Sequence, residues 1–128
     1  MQAKQKIVIV DDDLVISSMY DFKLRARGFE VRTASDGESG LAIIEKFNPS
    51  LILLDVMMPI MDGAEMLTQL RQFEWGANIR VIILTNLSKD EAPHDLRFLS
   101  VDRYIVKAHH TPAQVVDVVC EVLNLPTQ

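Results

Sequence analysis

The chain has 128 residues, 48% of them hydrophobic, and a formal net charge of -5 at pH 7. That length and composition suit one domain around one core and exclude a disordered chain, while the negative balance argues against direct nucleic-acid binding by this domain. A single cysteine, Cys120, rules out an intrachain disulfide, and no apolar run is long enough to span a bilayer.

In chain order, MQAKQK leads straight into the strand-like run IVIV (residues 7–10), without the apolar region of a signal peptide. The expectation is a cytoplasmic chain that makes no membrane contact, with Cys120 a small buried residue. Asp11-Asp12-Asp13 follow the run, and Asp13 suits the cap of a first helix that stops at Gly28. A weaker strand, EVRT (30–33), precedes Ser35-x-x-Glu38, a capping-box pattern that opens a second helix ending near Pro49. LILL (51–54) is the third strand and stops at Asp55. In the MMPIMDG after it, Met57 and Met58 are loop and core filler, and Asp62-x-x-Glu65 caps a third helix. Trp75, beside Gly76, is expected to cover a helix end.

VIIL (81–84) ends at Thr85. Ser88-x-x-Glu91 would open a fourth helix, but Pro93 costs roughly 3 kcal/mol inside a regular helix, so that helix should start late, kink or fray. YIV (104–106) ends at Lys107. His109 and His110 are expected to be solvated loop residues. Thr111-x-x-Gln114, with Pro112 at the first helical position, opens the last helix. There Val115, Val116, Val119 and Leu123 form a core stripe, which leaves Val118 and Val122 for a partner.

Three of the strand runs are almost continuously apolar, as strands buried on both faces of a parallel sheet are. Their alternation with helices predicts right-handed βαβ units with helices on both faces, an α/β (βα)5 sheet in one domain over residues 1–128.

In such a sheet ligands bind beyond the carboxyl ends of the strands. The first strand ends in Asp11-Asp12-Asp13, the third in Asp55, the fourth in Thr85 and the fifth in Lys107. Carboxylates crowded together repel, and a hard divalent cation relieves this; Mg²⁺ suits carboxylates, carbonyl oxygens, waters and a phosphate. Lys107 supplies a point charge and Thr85 a hydroxyl for phosphoryl oxygens. A carboxylate can itself be the nucleophile and form an aspartyl phosphate.

With the acidic group after strand one, LLDVMMPIMDG, Thr85 and YIVK in this order, the chain resembles the receiver domain of two-component response regulators over nearly its full length. The resemblance implies a flavodoxin-like doubly wound sheet of order 2-1-3-4-5, the order of the family's chemotaxis member. It implies a phosphorelay switch that is no enzyme beyond Mg²⁺-dependent self-phosphorylation and autodephosphorylation. Asp55 would accept a phosphoryl group from a sensor histidine kinase or phosphotransfer protein. Asp12 would ligate Mg²⁺ directly and Asp11 through water, with Asp55 and the Met57 backbone carbonyl completing the set. Thr85 and Lys107 would hold the phosphoryl oxygens. Tyr104 resembles the switch aromatic that turns inward when Thr85 moves, and Pro59 and Gly63 shape the loop. An unidentified downstream protein would read the switch, and a phosphorylation-dependent homodimer is compatible with it.

The sequence departs from the family at Asn86, where a small residue is common, at Ala108 for proline, and at Ser100-Val101 for Gly-Ala. Asn86 is expected to face the site and tune the switch, and the Lys107-Ala108 peptide to be trans. Two rivals stay open. In a haloacid-dehalogenase-type phosphatase Asp11 would be the nucleophile and Asp13 the general acid, with Asp55 unexplained. A degenerate receiver would be a fixed interaction module.

Overall fold

The apolar runs become a sheet. The structure, a computed structural model, describes residues 4–126; the first three residues of MQAKQK lie outside them. Strands β1 (Lys6–Val10), β2 (Glu30–Ala34), β3 (Leu51–Leu54), β4 (Arg80–Thr85) and β5 (Arg103–Val106) lie parallel in the order β2-β1-β3-β4-β5. Helices α1 (Leu14–Ala26), α2 (Gly37–Phe47), α3 (Gly63–Gln72) and α4 (Pro112–Val122) cover its two faces.

Side chains alternate across a pleated strand, so each strand feeds two layers. Ile7, Ile9, Leu51, Leu53 and Ile105 pack in one layer with Leu24 of α1 and Val115, Val116 and Val119 of α4. Val8, Val10, Ile52, Leu54 and Ile83 pack in the other with Ile44 of α2 and Met66, Leu67 and Leu70 of α3. Val122 is buried, so it is not free for a partner, while Val118 is partly buried against the first layer. Cys120 is buried beside them, and desolvation pushes its thiol above the usual range. No helix among the described residues is long and apolar enough to cross a membrane.

Asp13, Asp62 and Thr111 cap α1, α3 and α4 through their side chains, the last two in reciprocal capping boxes. Gly28, at φ +95, turns the chain after α1, a conformation cheap only for glycine. The cap of α2 is Asp36, not Ser35: its carboxylate accepts the Ser39 N–H at 2.8 Å.

The expected (βα)5 is one α-helix short. Ser88 and Glu91 do exchange their reciprocal hydrogen bonds, 3.3 Å and 3.1 Å. Pro93 then lies extended (ψ 133), and only the 3-10 turn His94–Phe98 comes after it. Arg71 of α3 braces this stretch. Its guanidinium donates to the carbonyls of Leu99 and Ser100 on one side and of Gly76 and Ile79 on the other. Trp75 stacks on Phe73 at 4.8 Å just past α3.

Candidate functional site

The strand order reverses between β1 and β3, and there Val10 pairs with Leu54. The next residues, Asp11 and Asp55, are thereby carried side by side to the carboxyl edge of the sheet, the usual place for ligands in an open α/β sheet. Both are buried, at 3% and 6% exposure. One ligand oxygen from each of Asp11, Asp12 and Asp55 lies within 4.8 Å of the others. Lys107, at the end of β5, donates to Asp11 Oδ2 at 2.8 Å and to Asp55 Oδ2 at 3.3 Å.

The remaining carboxylate oxygens are held by the backbone. The Asp13 N–H donates to Asp11 Oδ1 at 2.9 Å, and the Met57 N–H to Asp55 Oδ1 at 3.2 Å. Burial pushes the Asp11 carboxyl above the ordinary carboxylate range, against the pull of Lys107 and of the Asp13 amide. For Lys107, burial lowers the ammonium's pKa, but the hydrogen bond to Asp11 and the charges of Asp55 and Asp11 together hold it above its usual value. The geometry of the site is a lysine clamped between two aspartates.

Thr85 is fully buried, and among the described residues no hydrogen bond joins it to this clamp. Its hydroxyl accepts the Leu87 N–H at 3.4 Å. Asp11, Asp55 and Lys107 stand two residues beyond Ile9, Leu53 and Ile105, which face α1 and α4. Thr85 stands two beyond Ile83, on the α2–α3 side, where Ile83 pairs with Tyr104. Tyr104 is half-buried, and its hydroxyl lies 2.9 Å from the Leu87 carbonyl and 3.2 Å from that of Ser88. Thr85 and Tyr104 are thus joined through one short segment of backbone.

Asn86 is exposed, and among the described residues no hydrogen bond ties it to the site. Every described peptide bond is trans, Lys107-Ala108 included. His109 and His110 are exposed, as expected. Asp13 Oδ1 accepts the N–H groups of Val15 and Ile16, so the residue that a phosphatase would need as its acid serves as a helix cap.

The loop after Asp55 is tight. Gly63 N–H donates to the Val56 carbonyl at 2.9 Å, and a Cβ on Gly63 would stand 2.2 Å from the Asp55 carbonyl oxygen. Ile60 adopts φ +70 with its side chain 82% exposed. For a β-branched residue that conformation costs roughly 1–2 kcal/mol, and no signal in the sequence marks it.

The three carboxylates fit a hard cation. Ligand oxygens around octahedral Mg²⁺ lie roughly 3–4 Å apart, and these oxygens already lie within 4.8 Å of one another. Among the described residues no hydrogen bond reaches the Met57 carbonyl, which leaves it available as a further oxygen ligand.

Fold and site together define a class: a flavodoxin-like doubly wound domain with an acidic, lysine-containing site at its switch point. The chain belongs to the response regulator receiver domain family, whose profile matches residues 7–119. Receivers of this family serve two-component signalling and interact with histidine kinases or phosphotransfer proteins. The chain is 38% identical over 104 residues to the probable transcriptional regulator ycf27 of Cyanophora paradoxa, covering 81% of this chain and 42% of that protein. It is 42% identical over 87 residues to the alkaline phosphatase synthesis transcriptional regulatory protein PhoP of Bacillus subtilis, covering 68% of this chain and 35% of PhoP. It thus spans about two fifths of the length of the curated relatives it matches. A CheY-like receiver domain protein of Methanospirillum hungatei superposes with a TM-score of 0.87 at 29% identity, covering 95% of each chain.

Proposed function

We propose that the chain is a phosphorylation-activated receiver, one domain over residues 1–128, in which Asp55 takes a phosphoryl group from a phosphohistidine on a kinase or phosphotransfer protein. The observation that carries this is the Lys107 clamp: a cation already shared by Asp11 and Asp55 at a strand edge, where an incoming phosphoryl oxygen can take it over. An Asp55 carboxylate oxygen forms the new O–P bond. The P–N bond to the donor imidazole breaks, its electron pair stays on the nitrogen, and no oxidant or reductant is needed. Asp11, Asp12, Asp55 and the Met57 carbonyl would hold Mg²⁺, which when bound offsets the phosphoryl charge.

Lys107 then leaves its carboxylates for phosphoryl oxygens, and the Thr85 hydroxyl exchanges the Leu87 amide for another. Because the Leu87 carbonyl also accepts from Tyr104, moving Thr85 disturbs the seat of that ring. Partners on the β4–β5 side read the change. A cytoplasmic setting matches such a donor.

Acetyl phosphate with Mg²⁺ should label the wild-type chain with a hydroxylamine-sensitive phosphate. The Asp55→Asn variant should carry under about a hundredth of that label, as expected when the nucleophile itself is removed. Full labelling of the variant, or label mapped to Asp11, rejects this function.

A further inference from the structure

The stretch between β4 and β5, where a helix is missing, separates two clefts of opposite charge. On the β5 side Lys89, His94, Arg97 and Arg103 line one of about 570 Å³. On the Asp55 side lies another of about 500 Å³. Its wall is apolar, made by Val56, Met57, Met58, Pro59, Leu87 and Pro93, and its polar residues are Asp12, Asp62 and Glu91, with no Lys, Arg or His among the lining residues.

Two of these carboxylates are fixed. Asp62 Oδ1 accepts the Glu65 N–H at 2.8 Å, and Glu91 Oε1 accepts the Ser88 N–H at 3.1 Å. Each uses one oxygen in its cap and keeps its charge at the cleft. The hydrogen bonds to Ser88 also hold the Glu91 carboxyl below its ordinary range.

We propose that this cleft is the docking groove for a basic, apolar segment of the protein phosphodonor, one in which Lys or Arg alternates with aliphatic residues. This rests on the phosphoacceptor function given above. Charge complementarity selects the occupant. A phosphorylated donor brings negative charge toward three carboxylates, Asp11, Asp12 and Asp55, and is repelled by them. A basic segment beside the donor's phosphorylated residue, seated between Asp62 and Glu91, offsets that repulsion and steers the encounter. Its aliphatic residues would cover Met57, which is 55% exposed, and the apolar wall.

The test uses two synthetic peptides, one alternating Leu with Lys, the other with Glu in place of Lys. They are titrated calorimetrically against the wild-type chain, the Asp62→Asn/Glu91→Gln double variant, and a Glu45→Gln/Glu121→Gln control that makes the same charge change outside the cleft. Asn and Gln keep the cap acceptors and remove only the charge. The Lys peptide should bind the wild type and the control alike and the double variant about tenfold more weakly, with affinity falling as salt rises; the Glu peptide should not bind. Acetyl phosphate should label Asp55 equally in all three proteins, since a small donor needs no groove.

Equal peptide affinity for double variant and wild type overturns the proposal. So does self-association of the wild type that the double variant loses, which would make a second copy, entering with Arg97 and Phe98, the occupant. Failure of acetyl phosphate to label any of the proteins would reject the phosphoacceptor function instead, while the peptide titrations would still report on the groove.

Discussion

Gly63 shows how narrowly the site is built. Its missing side chain lets the start of α3 rest against the backbone of Asp55, where a Cβ would meet backbone atoms of Asp55 and Val56 at 2.2–3.0 Å. Those atoms cannot swing away as a flexible side chain would. Gly63→Ala should therefore cost roughly 1–3 kcal/mol, as overpacking does, and displace the loop that carries Met57. Urea melts should show a lower midpoint, and Mg²⁺ titrations a weaker affinity; an unchanged midpoint would mean that α3 moves freely against the loop. At this scale the meeting of Asp11, Asp55 and Lys107 at one edge of the sheet was legible, because each stands where an apolar run stops. Other residues were not. Asn86 reads as a site residue from its place after Thr85, yet it is exposed and no described hydrogen bond ties it to the site. Nothing in the sequence marks Arg71, because its partners are backbone carbonyls brought together only by the fold.

The segment between β4 and β5 is where an element signal and its outcome part. Ser88 and Glu91 form the pair that the capping-box pattern foretells, but the pair closes a turn and starts no α-helix. Such a pattern spans four residues and carries no information about the residues beyond it. Pro93 does carry it, by holding the next step extended and removing a donor. Pro93→Ala removes an obstacle worth roughly 3 kcal/mol in a helix interior, so residues 88–98 should gain α-helix and circular dichroism at 222 nm should deepen. An unchanged spectrum would assign the break to Arg71 and its carbonyl ties. The Ser35 misreading has a similar root. Ser35 and Asp36 are both good caps, and only the backbone chooses between them. β1, β3 and β4 were legible because they are apolar on both faces, and α1, α3 and α4 because each opens on a capping side chain that the sequence marks.

Over the whole molecule, a bound cation acts on stability by mass action. With free Mg²⁺ at 100 times its dissociation constant the folded chain gains about 2.7 kcal/mol, and the melting temperature rises with it. Asp12 is exposed, so Asp12→Ala should shift metal-free stability by no more than about 0.5 kcal/mol. The same variant should lose most of the gain from Mg²⁺. Thermal melts with and without the ion decide the matter: a variant stabilised as strongly as the wild type would remove Asp12 from the ligand set. The arrangement that holds Asp11, Asp55 and Lys107 at the carboxyl edge of the sheet and seats Tyr104 in the α2–α3 layer has a consequence for how such a chain can change over generations. What it listens to would be written in the loops around Asp55 and the acidic cleft beside them, and what it says around Tyr104 on the β5 side. Thr85 and the two residues after it are the hinge between those texts. Either can be rewritten by ordinary substitutions while the other stands, so long as the end of β4 keeps its wording.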